Sequence, residues 1–163
     1  MDNLITKYQK SWNLLFQYDE NTIQIKNNHP TNFIIDHQEA IQNIQLLKQF
    51  LVSKNEASNL FGIEREDGFK ALINNINQTF SKIELFQSVE EKSANLLYYI
   101  VKDHPFIDGN KRIGAFIFVL FLEKNNLLTP NLNDITLSAI TLLVANSNPN
   151  EKELMINFIT QII

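Results

Sequence analysis

The residues best suited to chemistry in this sequence are the nine that read HPFIDGNKR, at positions 104–112. His104 is of a residue type that takes up and releases protons near neutral pH, which suits a general base for a hydroxyl group. Asp108 offers a carboxylate, and Mg²⁺ in nucleotide sites usually takes one or two carboxylates together with phosphate oxygens. Gly109 permits a tight turn, and Lys111 and Arg112 add two positive charges after it. The segment therefore combines a base, a metal ligand and a binding site for anions.

Two helices are expected to hold this segment. The helix before it should end near Asp103, because Pro105 disfavours helical geometry at the residue that precedes it. A second helix should cover about 110–126, since the mostly apolar run IGAFIFVLFL follows at 113–122. Unpaired backbone N–H groups and the helix dipole attract anions to the start of a helix. The second helix would therefore hold a polyphosphate beside His104 and Asp108.

The composition indicates one domain of ordinary size and limits its function. The chain has 163 residues, 44% of them hydrophobic, and no cysteine, which excludes thiol catalysis, disulfides and thiolate metal sites. A net charge of −4 disfavours nucleic acid as a partner, so a nucleic-acid binder is the weakest hypothesis. The longest apolar run is shorter than the ~20 residues of a membrane span, and the first residues do not resemble a secretory signal. We therefore expect a cytoplasmic protein without membrane contact.

The remaining sequence predicts helices with few interruptions and an all-α fold over 1–163. Asp36 is expected to cap one helix, and Ser88 with Glu91 forms a capping box before another. The stretch SKIELF at 81–86 alternates polar and apolar residues, which suits a short strand or one arm of a hairpin. The first predicted helix carries four aromatic residues that we expect to pack in the core: Tyr8, Trp12, Phe16 and Tyr18.

The segment 104–112 resembles the signature of the Fic/Doc family (filamentation induced by cAMP and death on curing). The family pattern is H-x-F-x-[DE]-[GA]-N-[GK]-R, and every fixed position matches. The resemblance is firm over about 60–163. Residues 1–59 are expected to form N-terminal helices of the same single domain. It implies a Fic-like helical bundle with a short β-hairpin flap. It also implies an enzyme that transfers AMP or phosphate from a nucleoside triphosphate to a hydroxyl of a target protein.

The resemblance assigns a role to each motif residue. His104 is the base that activates the target hydroxyl, Asp108 holds Mg²⁺, and Phe106 supports the loop from the core. ATP, or another nucleoside triphosphate, is held through its phosphates by Gly109, Asn110, Lys111 and Arg112. In the stretch QTFSKIELF, at 78–86, the flap that clamps the backbone of the target includes Ser81, Lys82, Ile83 and Glu84. Addition of a strand to the flap would be the physical basis of that clamp.

Two positions depart from the pattern of AMP-transferring members. Such members usually have glycine where this chain has Lys111, and a second arginine where it has Ala115. Lysine at the first position resembles the death-on-curing subgroup, which acts like a kinase, so the resemblance favours phosphoryl transfer. AMP transfer is the alternative within the same class. A catalytically silent nucleotide-binding interaction module is the alternative from another class.

The family also contains an inhibitory helix with the pattern [ST]-x-x-x-E-[GN]. The nearest match here begins at Ser147 and reaches Glu151, but Lys152 follows where glycine or asparagine is required. A helix cap formed by Asn148, Pro149 and Glu151 is therefore the favoured interpretation. If the protein is restrained, a separate antitoxin chain is the expected partner, besides the target protein and a second copy in a homodimer.

Overall fold

The computed structural model describes residues 2–163 and shows an all-α fold. Eight α-helices and one two-stranded hairpin lie in this part of the chain. The helices are α1 (Asp2–Lys7), α2 (Gln9–Asp19), α3 (His37–Ser53), α4 (Gly68–Ile76), α5 (Val89–Asp103), α6 (Asn110–Lys124), α7 (Asp134–Asn146) and α8 (Lys152–Thr160). The strands are β1 (Thr79–Phe80) and β2 (Ile83–Glu84), and a 3₁₀ turn at Pro149–Glu151 precedes α8.

Side-chain caps fix the starts of several helices where the sequence predicts them. The Asp36 carboxylate accepts a hydrogen bond from the Glu39 N–H at 2.8 Å. The Ser88 hydroxyl accepts one from the Glu91 N–H at 3.0 Å, and the Glu91 carboxylate accepts the Gln87 N–H at 2.9 Å. Both predicted caps are confirmed, with the second carboxylate reaching one residue further back than in a standard capping box.

The predicted hairpin is confirmed between α4 and α5, but of the stretch 81–86 only Ile83 and Glu84 form a strand. Thr79 pairs with Glu84 and Phe80 with Ile83 in antiparallel register. Ser81 and Lys82 form the turn, with φ of 51° and 68°. Positive φ at both central residues is the geometry that matches the twist of a two-residue hairpin turn.

Helix α5 lies at the centre of the bundle and positions α6. Eleven of its fifteen residues are buried, and it contacts α4, α6, α7 and α8. A Cβ added at Gly114 of α6 would lie 2.9 Å from a Val101 methyl, so the small residue permits the close approach of the two helices. The apolar run 113–122 forms part of the core, as expected. Within residues 2–163, no helix is both long and apolar enough to cross a bilayer.

The prediction that the first aromatic cluster packs in the core is wrong for most of its members. The helix is interrupted at Tyr8, and Trp12 and Phe16 are exposed on α2, all of whose residues are described and none of which is buried. Only Tyr18, at the end of α2, packs against the core, where its ring contacts Phe158. The apolar face of a helix is buried only where another apolar element packs against it. In residues 2–163 such packing occurs only at the C-terminal end of α2.

Candidate active site

The motif loop joins α5 to α6 between two residues with left-handed backbone geometry. His104 ends α5 with φ 50° and ψ 56°, and Gly109 precedes α6 with φ 91°. Left-handed geometry is uncommon for a residue with a side chain, and it is maintained only where the surrounding structure fixes the backbone. Pro105 and Phe106 follow His104 and are buried.

A segment far away in the sequence fixes this loop through its backbone. Residues 61–65 run beside the loop and form two isolated β-bridges with it, Phe61 with Asp108 and Glu64 with Phe106. Three hydrogen bonds join the two backbones: Gly62 N–H to Asp108 O at 3.1 Å, Ile107 N–H to Ile63 O at 2.8 Å, and Arg65 N–H to Pro105 O at 2.8 Å. The sequence reasoning missed this support, because backbone pairing of this kind leaves no side-chain signature.

Phe106 and Asn110 close the loop from the inside. Phe106 is fully buried, and its ring centroid lies 4.8 Å from that of Phe69. The Asn110 side chain accepts the Phe106 N–H and donates to the Phe106 carbonyl, both at 2.9 Å. The asparagine side chain therefore holds the loop, and its contribution to an anion site is limited to its backbone N–H.

Gly109 allows the loop to lie closer to an aromatic ring than any residue with a side chain would permit. A Cβ added there would lie 2.4 Å from a carbon of the Phe61 ring. Its φ of 91° adds a second reason for glycine, because residues with side chains rarely adopt it.

A recess of about 260 Å³ lies at the start of α6 and is lined by residues 108–112. The first N–H groups of a helix have no partner within it. No side chain in residues 2–163 caps this helix start; α2, α4 and α8 also lack a capping side chain, whereas α3, α5 and α7 have one. Free N–H groups, the helix dipole and the exposed Lys111 therefore point to one small cavity that suits an anion.

The Arg112 side chain is oriented at the edge of this recess. Its guanidinium lies 4.8 Å from the Phe61 ring centroid, and Nη1 donates to the Glu56 carbonyl at 2.6 Å. Nη2 lies 3.9 Å from a carboxylate oxygen of Asp108. Both charged side chains are nearly half exposed, so the pair is loose and each group retains free hydrogen-bonding capacity.

Asp108 suits a magnesium ion that is also held by phosphates. Among the described residues, no group of three or more His, Cys, Asp or Glu side chains could hold a metal ion. A lone carboxylate beside an anion recess matches Mg²⁺, which keeps water and phosphate oxygens as most of its ligands. The protein alone would hold the ion weakly.

The His104 imidazole is exposed and has no hydrogen-bond partner anywhere in the part of the chain that is described. It does not line the recess, which begins at Asp108. The structure therefore brings the residues expected to hold metal and phosphate together in one cavity and places the expected base at the other end of the same short loop.

A second recess, of about 300 Å³, adjoins the first between α6 and α7. Lys111 and Arg112 line both recesses. The second is completed by Ala115 and, from α7, by Leu137, Ser138, Thr141 and Leu142. The Ala115 side chain therefore adds only a methyl group to this recess, at the position where the resemblance leads us to expect an arginine in AMP-transferring proteins.

The hairpin is anchored to α5 and lies outside the recess. Glu84 contacts the buried Lys92 of α5, with 3.1 Å between Oε2 and Nζ. Phe80 and Ile83 are exposed on the hairpin. Of residues 79–84, all of them described, none lines the 108–112 recess.

The cap before α8 is confirmed. The Asn148 side chain accepts the Asn150 N–H at 3.2 Å, and the Glu151 carboxylate accepts the Asn148 N–H at 3.1 Å. Pro149 begins the turn between them. Glu151 thus has a structural role as a helix cap.

The site consists of a loop that backbone hydrogen bonds fix in place, followed by a helix start without a side-chain cap, and this arrangement suits an anion. The model of the Fic/DOC family matches residues 25–122, which is more than half of the chain. The chain belongs to the Fic/DOC family. This membership indicates, in general terms, a nucleotide-using transferase that modifies proteins. Comparison with curated proteins and with solved structures gives no significant match.

Proposed function

We propose that this protein transfers a phosphoryl group from ATP to a hydroxyl side chain of a target protein. The observation that carries the proposal is the recess at the start of α6, where uncapped N–H groups, Lys111 and Arg112 meet Asp108. Arginine can hold phosphate through two parallel hydrogen bonds, and the Arg112 guanidinium is pre-oriented over the Phe61 ring. Family membership supports the same class of reaction.

In this proposal His104 removes the proton of the target hydroxyl. The hydroxyl oxygen forms a bond to the γ-phosphorus, and the bond from that phosphorus to the β–γ bridging oxygen breaks. ADP leaves, and the proton remains on the imidazole until solvent takes it. The exposed position of His104 supports this role, because a hydroxyl on another protein must reach it from outside.

Asp108 would hold Mg²⁺ jointly with the phosphates of the nucleotide. The ion, when bound, neutralises phosphate charge and orients the group that is transferred. Asp108 is available for this role because Arg112, its only charged partner among residues 2–163, lies 3.9 Å away and is itself a phosphate ligand in the proposal.

Phosphoryl transfer is preferred to AMP transfer because of Ala115 and Lys111. An arginine at 115 would add a third cation to the recess between α6 and α7, and alanine leaves that space apolar. Without that arginine, a nucleotide held by the α6 start, Lys111 and Arg112 is free to present its γ-phosphate to a hydroxyl beside His104. Transfer of AMP, with pyrophosphate as the leaving group, is the alternative reaction of the same site.

The hairpin is proposed to hold the target. The residues concerned are Ser81, Lys82, Ile83 and Glu84, and the hairpin has unpaired backbone groups on its outer edges to which an extended segment can add as a strand. The exposed Phe80 and Ile83 side chains offer apolar contact to such a segment.

Labelling with two forms of ATP tests the reaction. Purified protein, Mg²⁺ and lysate of the native host are incubated with ATP carrying radioactive phosphorus at the α or the γ position. Label from γ alone is the expected result. Label from α would support AMP transfer, and no label in either form would contradict enzymatic function.

Replacement of His104 tests its role as the base. His104→Asn is the sharper variant, because asparagine tolerates left-handed geometry better than alanine does. We expect labelling to fall by at least about 100-fold, in line with the usual contribution of a general base, while the melting temperature is unchanged. His104→Ala should abolish labelling in the same way, and labelling at the wild-type rate by both variants would contradict the assignment.

A silent nucleotide-binding module is the second candidate. The observation in its favour is that the His104 imidazole lies outside the recess. This candidate predicts that ATP raises the melting temperature of the protein although no label is transferred. It also predicts that His104→Asn has no effect in cells that express the protein, whereas an active toxin expressed without its antitoxin chain would lose its growth defect on this substitution.

A further inference from the structure

The α1–α2 segment carries an exposed apolar ridge. Leu4, Tyr8, Trp12 and Phe16 follow one another at four-residue spacing, and Ile5 and Leu15 lie beside them. These six side chains are between 44% and 62% exposed. Contacts within the segment fix its shape, because Trp12 Nε1 donates to the Ile5 carbonyl at 3.1 Å and the Tyr8 and Trp12 rings lie 6.2 Å apart.

An apolar groove of about 570 Å³ lies between α7 and α8 on the same molecule. Ile135, Ala139 and Leu143 form the α7 side, and Phe158 and Ile162 form the α8 side. Ile135 is 80% exposed, which is high for an isoleucine beside a groove. Helices with bulky apolar side chains bind to grooves of this kind through anchors at three- and four-residue spacing.

The ridge and the groove are neighbours. Tyr18, at the end of α2, makes an edge-to-face contact with Phe158, with 6.3 Å between ring centroids. Phe158 also lines the groove. The projecting α2 helix and the concave site are therefore close to each other, and no residue of α2 lines the groove of its own chain.

We propose that a second copy of this chain covers this surface, with α2 of each copy in the α7–α8 groove of the other. A two-fold axis near the Tyr18–Phe158 contact would form both contacts at once and close the assembly as a dimer. The exposures indicate on the order of 700 Å² of apolar ridge surface, more than most monomers leave in one patch. The ridge and the groove together offer an exposed area close to the ~800 Å² that each partner buries in a standard interface.

The chemistry of the segment favours a protein partner over a lipid surface. Helices that lie on membranes are rich in lysine and arginine on their polar face. Lys7 and Lys10 are the only lysine or arginine residues in 3–19, and the whole chain has a net charge of −4. The dimer does not involve the 108–112 recess, so it stands independently of the proposed reaction.

Trp12 is the only tryptophan in the chain and reports directly on the ridge. We expect light scattering after gel filtration to give twice the mass of one chain at micromolar concentrations. Trp12 emission should shift to shorter wavelength as the dimer forms, since the indole leaves water. A monomer at all concentrations up to about 100 µM, or Trp12 that enters anionic vesicles in place of a dimer, would overturn the proposal.

Paired substitutions test the helix-in-groove arrangement itself. Phe16→Lys on the ridge and Leu143→Glu in the groove should each give a monomer with unchanged helix content by circular dichroism. Phe50→Lys is the matched control, because Phe50 lies on helix α3 and is 56% exposed, against 62% for Phe16. This control should remain a dimer, and its loss of dimerisation would contradict the proposed surface.

Mixing the two monomeric variants distinguishes this arrangement from simple ridge-to-ridge packing. A mixed dimer keeps one native helix-in-groove contact, and the introduced lysine and glutamate meet in the other. We therefore expect the mixture to dimerise at concentrations where each variant alone is a monomer. A mixture that stays monomeric would show that the ridge does not pair with the groove.

Discussion

Gly109 is the residue on which the shape of the anion recess depends most directly. Its left-handed geometry turns the loop so that the first N–H groups of α6 face the recess. Its lack of a side chain lets the Phe61 ring lie against the loop, and the same ring supports the Arg112 guanidinium. One glycine thus positions both the backbone and the side-chain parts of the site.

Gly109→Ala is expected to damage nucleotide binding more than folding. The new methyl would lie 2.4 Å from the Phe61 ring and the backbone would be strained, at a cost of about 1–3 kcal/mol. We expect a melting temperature several degrees lower and no further stabilisation by Mg²⁺ and ATP, measured by thermal denaturation. Gly68→Ala is the control, because the nearest atom to its added methyl is 3.7 Å away. Stabilisation of the Gly109 variant by ATP at the wild-type level would contradict this account.

At the scale of residues, the sequence predicts the motif well and its supports poorly. The types and spacing of His104, Asp108, Gly109 and Arg112 indicate the chemistry. A loop with a purely structural role would have little reason to combine these four residue types. The Phe61 ring and the Glu56 carbonyl lie about fifty residues earlier, and only the folded chain brings them to Arg112. Asn110 shows the same limit, since its side chain binds the Phe106 backbone.

At the scale of elements, one ion pair with a buried lysine joins the hairpin to α5. Lys92 of α5 is 1% exposed, and the Glu84 carboxylate, 36% exposed, is its only charged partner in residues 2–163. A buried ammonium group without a partner lowers stability strongly, whereas a carboxylate that is about one-third exposed remains hydrated when its partner is removed. The two halves of the pair should therefore respond differently to replacement.

Glu84→Ala is expected to lower the free energy of unfolding by about 1–3 kcal/mol, because it leaves the Lys92 ammonium buried and unpaired. Lys92→Met should cost less than about 1 kcal/mol, since methionine fills the same volume without a charge. The double variant should be more stable than Glu84→Ala alone. Urea denaturation measures all three, and equal, additive losses would show that the pair does not anchor the hairpin.

Helices and caps are the elements that the sequence predicts best. Asp36, Ser88 and Asn148 cap where they are expected to, because a cap is a local interaction between residues close in sequence. The interruption at Tyr8 was not predictable from turn residues, since no glycine or proline lies near it. The support of the loop by residues 61–65 is equally hidden, because the pairing is non-local.

At the scale of the whole molecule, a buried carboxylate ties the long N-terminal connection to the central helix. Glu90 of α5 is fully buried and accepts hydrogen bonds from the backbone N–H groups of Asn28 and His29, both at 3.3 Å. Its carboxylate also lies 2.7 Å from Nδ1 of His29. Burial alone would raise the pKa of Glu90, but these hydrogen bonds together lower it below its usual value.

Stability should therefore fall in acid. A carboxyl with a lowered pKa in the folded state stabilises the fold above the usual glutamate pKa of about 4.3, and this contribution is lost as the pH falls through the folded-state value. We expect Glu90→Gln to be less stable than wild type at pH 7 and to approach it near pH 3, by urea denaturation. Glu123→Gln, at an exposed position on α6, is the control and should follow wild type at every pH.

The exposed ridge shows what periodicity can and cannot predict at this scale. Apolar spacing in 4–16 predicts a helix with one apolar face, and the structure has two helices with that face. Periodicity does not indicate which surface covers the face. The sequence therefore suggested the core of the same chain, whereas the fold leaves the face exposed beside the α7–α8 groove.

The central claim is that the start of α6 binds the phosphates of a nucleotide. The most direct measurement is a titration of isotopically labelled protein with ATP and Mg²⁺, followed through backbone amide resonances by NMR. We predict that the amides of Gly109, Asn110, Lys111 and Arg112 shift most, since their N–H groups would donate to phosphate oxygens. Saturating nucleotide that leaves these four resonances in place, or that shifts only amides elsewhere, would contradict the claim.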